Sequence, residues 1–314
     1  MYSACLIGCG YWGNNLYRNF QNSDLFIVSK IVDTNNSVLT SIKKKNPLVE
    51  TYKDYKKAIK EDNVDLVVVS TPTISHFKIS KYALENSKHV LIEKPICLSL
   101  KQVKVLNKIA RKNKKLIFVD YPFLFSGSIA YLKKVIDNKK YGKILEIESF
   151  REQAPLRKDN NVIWDLGVHD ISILLFLLNQ QPSAIKTIKK KNLKNYPHDV
   201  AYINLKYKNG VNVLIKNSWV SATKIRFIKI KFTKAIIYCD ENEPMYKIKV
   251  YKNKSKNKWS KYDLVVPDID LTEPLSTMVK YIYYSIKNNK NKIFNNNLNE
   301  KITSLLQNIN KVND

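Results

Sequence analysis

No stretch of this sequence approaches the roughly 20 apolar residues that a membrane-spanning helix needs. The longest such run, Ile173–Leu178, is far too short. Residues 1–7 lack the basic start and long apolar core of a secretory leader and run straight into a glycine-rich turn, so a cytoplasmic location is expected. Cysteine is scarce: Cys5, Cys9, Cys97 and Cys239 show no paired spacing, which argues against a disulfide scaffold or a cysteine-based metal site and for reduced, packed thiols. Acidic residues are few, 27 against 54 Lys and Arg, for a net charge of +27. The excess is mostly lysine spread through helices and loops and mixed with asparagine, as in Asn288–Asn297. A nucleic-acid footprint would concentrate that charge with interleaved aromatics or a reading helix, so no nucleic-acid partner is expected. A positive field would nonetheless draw anionic ligands. Internal repeats and long linkers are also missing.

What is present suffices for two hydrophobic cores: 314 residues, 44% hydrophobic and 11% aromatic. Residues 1–121 alternate apolar runs with amphipathic stretches, the order of βαβ units wound into a parallel sheet. Strands are expected at Ser3–Ile7, Phe26–Val32, Glu50–Tyr52, Val64–Val69, His89–Ile92 and Leu116–Val119. Helices are expected at Asn14–Phe20, Asn36–Lys45, Ser75–Asn86 and from a Ser99 cap to Lys112. Beyond Pro122 the texture changes. Helices at Ile129–Asp137, Trp164–Leu178, Thr272–Lys287 and Leu298–Val312 frame seven strands rich in β-branched and aromatic residues, at Ile144–Phe150, Ala184–Lys190, Asp199–Tyr207, Val211–Trp219, Ile225–Phe232, Ala235–Asp240 and Lys247–Tyr251. Asn209-Gly210 marks a hairpin turn between two of them. The expected class is α/β: a Rossmann parallel sheet over 1–121, then an α+β domain over 122–314 on a mostly antiparallel open sheet.

Gly8, Gly10 and Gly13 form G-x-G-x-x-G between a strand and a helix, with Tyr11 and Trp12 inside it. There the backbone can approach a pyrophosphate, which sits on free N–H groups at the helix start. Asp33 ends the second strand, where a carboxylate accepts from an adenosine ribose and repels a 2′-phosphate. Thr34 and Asn35 bring no cation, so NAD is expected over NADP. Ser70-Thr71-Pro72 follows the central strand at its carboxyl end, where open α/β sheets bind ligands. His76, one turn on, reads equally as a cofactor contact or a structural histidine. Glu93-Lys94-Pro95 stands at another strand's carboxyl end, where an ammonium could steady a developing alkoxide. Asp165 and His169, four apart on an expected apolar helix, read as a carboxylate orienting an imidazole base. His89 and His198 lack such surroundings and read as structural. Arg151, Arg157 and Lys158 precede that helix and read as solvated loop charges, with a substrate anion as the alternative.

Ile7-Gly8-Cys9-Gly10-Tyr11-Trp12-Gly13, Ser70-Thr71-Pro72 with His76, Glu93-Lys94-Pro95, and Trp164-Asp165-Leu166-Gly167-Val168-His169-Asp170 occur in that order. Together they resemble the glucose–fructose oxidoreductase / inositol dehydrogenase (Gfo/Idh/MocA) family over nearly the whole chain. The resemblance implies that Lys94, Asp165 and His169 are catalytic, that Tyr11, Trp12, Thr71, Pro72, His76 and Glu93 join the glycines and Asp33 around the cofactor, and that the bond before Pro95 is cis. It also implies a second domain that binds substrate and associates into homodimers or homotetramers. The segments Gly10-Tyr11-Trp12-Gly13 and Trp164-Asp165-Leu166-x-x-His169-Asp170 look most like the branch acting on sugars and nucleotide sugars. The function implied is hydride transfer between NAD and a secondary alcohol or ketone of a nucleotide-linked sugar. An inositol or polyol dehydrogenase, or a non-catalytic NAD-binding sensor, are the alternatives. One departure stands out: Tyr121-Pro122-Phe123 replaces the His-x-x-Arg type of many relatives.

Overall fold

The computed structural model describes residues 1–158, 160–255, 259–294 and 296–312. The chain divides into two compact units, one of Met1–Pro122 with Glu273–Thr303, the other of Phe123–Thr272 with the residues from Ser304 on. Among the described residues no helix is long and apolar enough to cross a membrane.

The first unit winds β1 (Tyr2–Ile7), α1 (Tyr11–Gln21), β2 (Phe26–Val32), α2 (Asn36–Lys45), β3 (Glu50–Tyr52), α3 (Tyr55–Lys60), β4 (Leu66–Val69), α4 (Thr73–Glu85), β5 (His89–Glu93), α5 (Leu100–Lys112) and β6 (Ile117–Asp120) into one sheet. Its order is β3-β2-β1-β4-β5-β6, parallel throughout. The order reverses between β1 and β4, so a crevice opens above the carboxyl ends of these two strands. Every side chain of β4 is buried, as a central parallel strand requires. The short α3 was too brief to show a period; its signal is Asp54, whose carboxylate accepts from the Lys56 N–H at 2.9 Å as an N-cap. Ser99 does stand at the N-cap of α5 with extended backbone, but its hydroxyl makes no capping bond.

Sequence division at 121/122 leaves the penultimate helix, α8 (Pro274–Lys287), with the second domain. By packing it belongs to the first unit. Tyr283 places its ring 5.5 Å from Tyr2 and 6.0 Å from Phe26, and Glu273, the N-cap residue of α8, accepts from Arg18 at 2.6 Å and Asn19 at 3.2 Å.

His89 is buried in this core and its Nδ1 accepts from the Leu116 N–H at 3.1 Å, which only a neutral ring can do. Burial, with Lys115 adding repulsion, pushes its pKa down to about 4. An unfolded histidine protonates near 6.5. The stability tied to the neutral ring is therefore full above pH ~6.5 and is lost as pH falls from ~6.5 through ~4, up to roughly 3 kcal/mol. Urea midpoints measured from pH 7.5 to 5 are expected to fall in the native protein and to fall less in His89→Gln; equal slopes would remove His89 as the cause.

The second unit holds α6 (Gly127–Asp137), β7 (Ile144–Glu152), α7 (Val168–Leu178), β8 (Ala184–Lys190), β9 (Val200–Lys206), β10 (Asn212–Ser218), β11 (Ile225–Phe232), β12 (Ala235–Asp240), β13 (Ile248–Asn253) and β14 (Tyr262–Val265). The last helix, α9 (Asn296–Lys311), runs from the first unit's residues into those of the second. The sheet order is β14-β13-β12-β11-β7-β10-β9-β8, antiparallel except where β7 meets β10. Burial alternates along the central strands. Ile228, Ile230 and Phe232 of β11 and Ile237 and Cys239 of β12 lie in the core, while Phe227, Lys229 and Tyr238 take the other face. The edge strand β14, short and mostly exposed, carried no readable period.

The helix expected over Trp164–Leu178 is two structures: a π turn at Ile163–Gly167, then α7. The wide turn packs against β10 and β7.

Candidate functional site

The glycine-rich loop shows why these residues are small. Gly8 has φ +86° and a side chain there would stand 2.6 Å from the Ser70 carbonyl oxygen. One on Gly13 would overlap the Gly8 carbonyl, so α1 lies directly against the end of β1. Above Gly10, by contrast, a Cβ would meet nothing. The space is open where an exposed helix start offers its N–H groups, and no acidic residue occupies the first turn of α1. Asp33 closes the loop's other side: Oδ2 accepts from the Cys9 N–H and Oδ1 from the Asn35 N–H, both at 2.9 Å. These donors fix the carboxylate at the end of β2, where a ribose would lie. The loop therefore fits a dinucleotide. Tyr11 is 87% exposed at its edge, and Trp12, half-buried, donates its indole N–H to Asp120.

After β4, the Thr71 hydroxyl bonds the Ser75 hydroxyl at 2.6 Å and Pro72 stands at the N-cap of α4. His76 is 1% exposed, with Nδ1 2.9 Å from the Pro95 carbonyl oxygen and Nε2 2.8 Å from that of Thr71. Held from both sides, it ties the loop after β4 to the loop after β5, which is a structural placement more than a ligand-facing one. Glu93 ends β5, half-buried, and Lys94–Pro95 is cis. Asp120, register partner of Glu93, ends β6 and is completely buried. Burial pushes its pKa up to about 6, with the Trp12 hydrogen bond and the Lys94 charge pulling the other way.

In the second unit, His169 is half-buried in the first turn of α7, and the edge of its ring meets Phe123 at 5.1 Å. Asp165, buried in the π turn, accepts from the Trp219 indole N–H at 3.0 Å, with Arg157 Nη1 3.8 Å from its other oxygen. Beside His169 in sequence, Asp170 is wholly buried and accepts from Ser149 and Asn217 at 2.7 Å each and from Arg151 Nε at 3.3 Å. Arg151 is not the solvated loop charge expected: it is 1% exposed, and its guanidinium stacks 4.3 Å from the Phe123 ring. Phe123, standing where many relatives were expected to carry a cation, thus contacts both Arg151 and His169. Lys158 lies 5.8 Å above the Tyr196 ring.

Within the first unit the structure gathers Gly8, Gly10, Gly13, Asp33, Thr71, Pro72, Glu93 and Lys94 at carboxyl ends of parallel strands. Within the second it sets Asp165 and His169 on consecutive turns. Three features went unread in the sequence: Asp120, the Arg151–Asp170 pair and Trp219. Asp120 had a signal, a carboxylate directly after Ile117, Phe118 and Val119, where burial of charge is costly. The strand expected at Leu116–Val119 stops one residue short of it. Arg151 and Asp170 lie 19 positions apart, and only pairing of β7 beside α7 reveals them. All four cysteines are free and buried, with Cys5 and Cys97 pushed up to about 12 by burial. Among the described residues no three His, Cys, Asp or Glu side chains group as metal ligands.

Residues 3–121 match a family model described as oxidoreductase family, NAD-binding Rossmann fold, and residues 129–242 match the GFO/IDH/MocA C-terminal domain. Myo-inositol 2-dehydrogenase of Thermotoga maritima is 26% identical over 225 residues, covering 68% of this chain and 67% of that protein. The uncharacterized oxidoreductase YhhX of Escherichia coli is 30% identical over 193 residues, 59% of this chain and 53% of that one. The chain thus aligns with between about half and two thirds of these relatives' lengths. Among solved structures, UDP-N-acetylglucosamine 3-dehydrogenase GnnA of Acidithiobacillus ferrooxidans superposes with a TM-score of 0.84 at 18% identity, covering 98% of this chain and 96% of that one.

Proposed function

Since the chain belongs to the Gfo/Idh/MocA family of oxidoreductases, NAD(P)-dependent dehydrogenases of CH–OH groups, we propose that it oxidises a secondary alcohol of a sugar, most favourably a nucleotide-linked one, or reduces the matching ketone. The observation that carries this reading is Lys94 directly after the carboxyl end of β5, in the same unit as a glycine-rich loop whose open space and fixed Asp33 suit a dinucleotide. NAD is proposed over NADP because the Asp33 carboxylate would repel a 2′-phosphate. Bound NAD supplies the hydride acceptor. The chain's own residues do the rest: Lys94 donates to the substrate oxygen and steadies its developing negative charge, and His169 takes the hydroxyl proton. Asp165, anchored by Trp219, stabilises the imidazolium. Tyr11, Trp12, Thr71, Pro72 and Glu93 border the dinucleotide in this reading, and His76 holds their loops. Catalysis takes place in the cytoplasm, where buried Cys5, Cys9, Cys97 and Cys239 stay reduced. The aromatic face of the second sheet, with Phe227, Tyr238 and Tyr251, is the proposed contact for a homodimer or homotetramer.

The sugar reading is favoured over inositol by the resemblance of the segments around Trp12 and Asp165 to the nucleotide-sugar branch. Measuring NADH and NADPH formation with nucleotide sugars, free sugars and inositols tests it. Turnover confined to inositols moves the substrate, and NAD binding without turnover on any alcohol makes the chain a sensor. Gly10→Val gives a second check, because its Cβ enters open space. Stability is expected to hold while dinucleotide affinity falls on the order of 10²-fold, from loss of close backbone approach. Calorimetric titration reads this, and unchanged affinity would move the dinucleotide elsewhere.

A further inference from the structure

We propose that Asp120 is a positioning residue that couples the glycine-rich loop to the working lysine, its carboxylate anchored by the Trp12 indole and acting as counter-charge for the Lys94 ammonium. The inference rests on the function proposed above for Lys94. Three observations converge on it, all within one unit. Asp120 is wholly buried at the carboxyl end of β6, the edge of the sheet that also presents Lys94 after β5. One carboxylate oxygen accepts from Trp12, inside the G-x-G-x-x-G turn. The other, Oδ1, is buried with no hydrogen-bond partner in the structure.

A carboxylate in such a place is costly unless something needs its charge. The charge it feels is that of Lys94, which favours the ionised form. In this reading the ionised Asp120 is the counter-charge of the Lys94 ammonium, which donates to the substrate oxygen. The neighbouring titratable group on β5 is Glu93, its register partner. Trp12 gives the arrangement its second function. The indole ties that carboxylate to the glycine-rich turn, so the loop that suits the dinucleotide and the counter-charge of Lys94 share one hydrogen bond.

Asp120→Asn separates charge from shape, since the amide oxygen still accepts from Trp12. Competitive acetylation of Lys94, followed by mass spectrometry across pH, reads its protonation without substrate or turnover. The expected result is a labelling midpoint moved to lower pH, kcat lowered 10- to 100-fold, and NAD affinity, by calorimetry, within about 3-fold of native. An unmoved midpoint overturns the inference. If Asp120→Asn does not fold, Trp12→Phe carries the test: a labelling midpoint of Lys94 moved to lower pH supports the coupling, and an unmoved midpoint overturns it. Failure of the underlying function has a different signature, Lys94→Met turning over at the native rate.

Discussion

Replacing His169 with alanine is expected to lower kcat by roughly 10²–10⁴-fold while leaving NAD affinity unchanged, the size of effect that removal of a positioned general base produces. The residues proposed to hold the dinucleotide, from Gly8 to Glu93, all lie in the first unit, and His169 belongs to the second. The loss should therefore appear in turnover and not in cofactor titration. Phe123 meets the native ring at 5.1 Å, and the Arg151–Asp170 pair is made by other side chains, so alanine is expected to leave that ion pair in place. Native-like turnover in His169→Ala, measured at saturating NAD with the best substrate of the panel, would take the imidazole out of the reaction.

Asp170→Ala is expected to cost 3–5 kcal/mol of stability, the range for removing one member of a buried ion pair. The reason is what remains. Arg151 keeps its charge inside a core from which water is excluded, Ser149 loses its acceptor, and Asn217 loses the carboxylate that fixes its amide. Denaturant titration reads the loss directly. A change below about 1 kcal/mol would mean that the guanidinium had found water or another acceptor, and that the pair does not hold α7 to β7. Asp170→Asn keeps the shape and the Ser149 bond, and its cost falls between native and alanine.

How far the sequence could be read follows from the range of the interactions involved. The bounds of β2, α2, β3, β8, β11 and β12 agree with those read from residue pattern, because each is marked locally by alternation, apolar content or polar punctuation. The family was legible for the same reason: its four motifs are short and sit at strand ends. What escaped depended on distant partners. The parallel pairing of β7 with β10 joins residues about 70 apart in sequence, and nothing local distinguishes it from the antiparallel pairs around it. The π turn at Ile163–Gly167 has helical composition, so its wider winding cannot be heard in hydrophobic period. His76 was ambiguous because a buried and a ligand-facing histidine look alike until the two carbonyls around it are seen.

The return of α8 to the first unit has a consequence for how the protein is made. Tyr2 and Phe26, together at one edge of β1 and β2, are covered by Tyr283, a residue translated more than 250 positions after them. A nascent chain that has just emerged to Pro122 carries all six strands of its nucleotide-binding sheet, yet leaves that aromatic edge wet until α8 has emerged. Premature termination anywhere before Glu273 would therefore release a sheet with a sticky flank, a natural substrate for chaperones and a hazard for self-association.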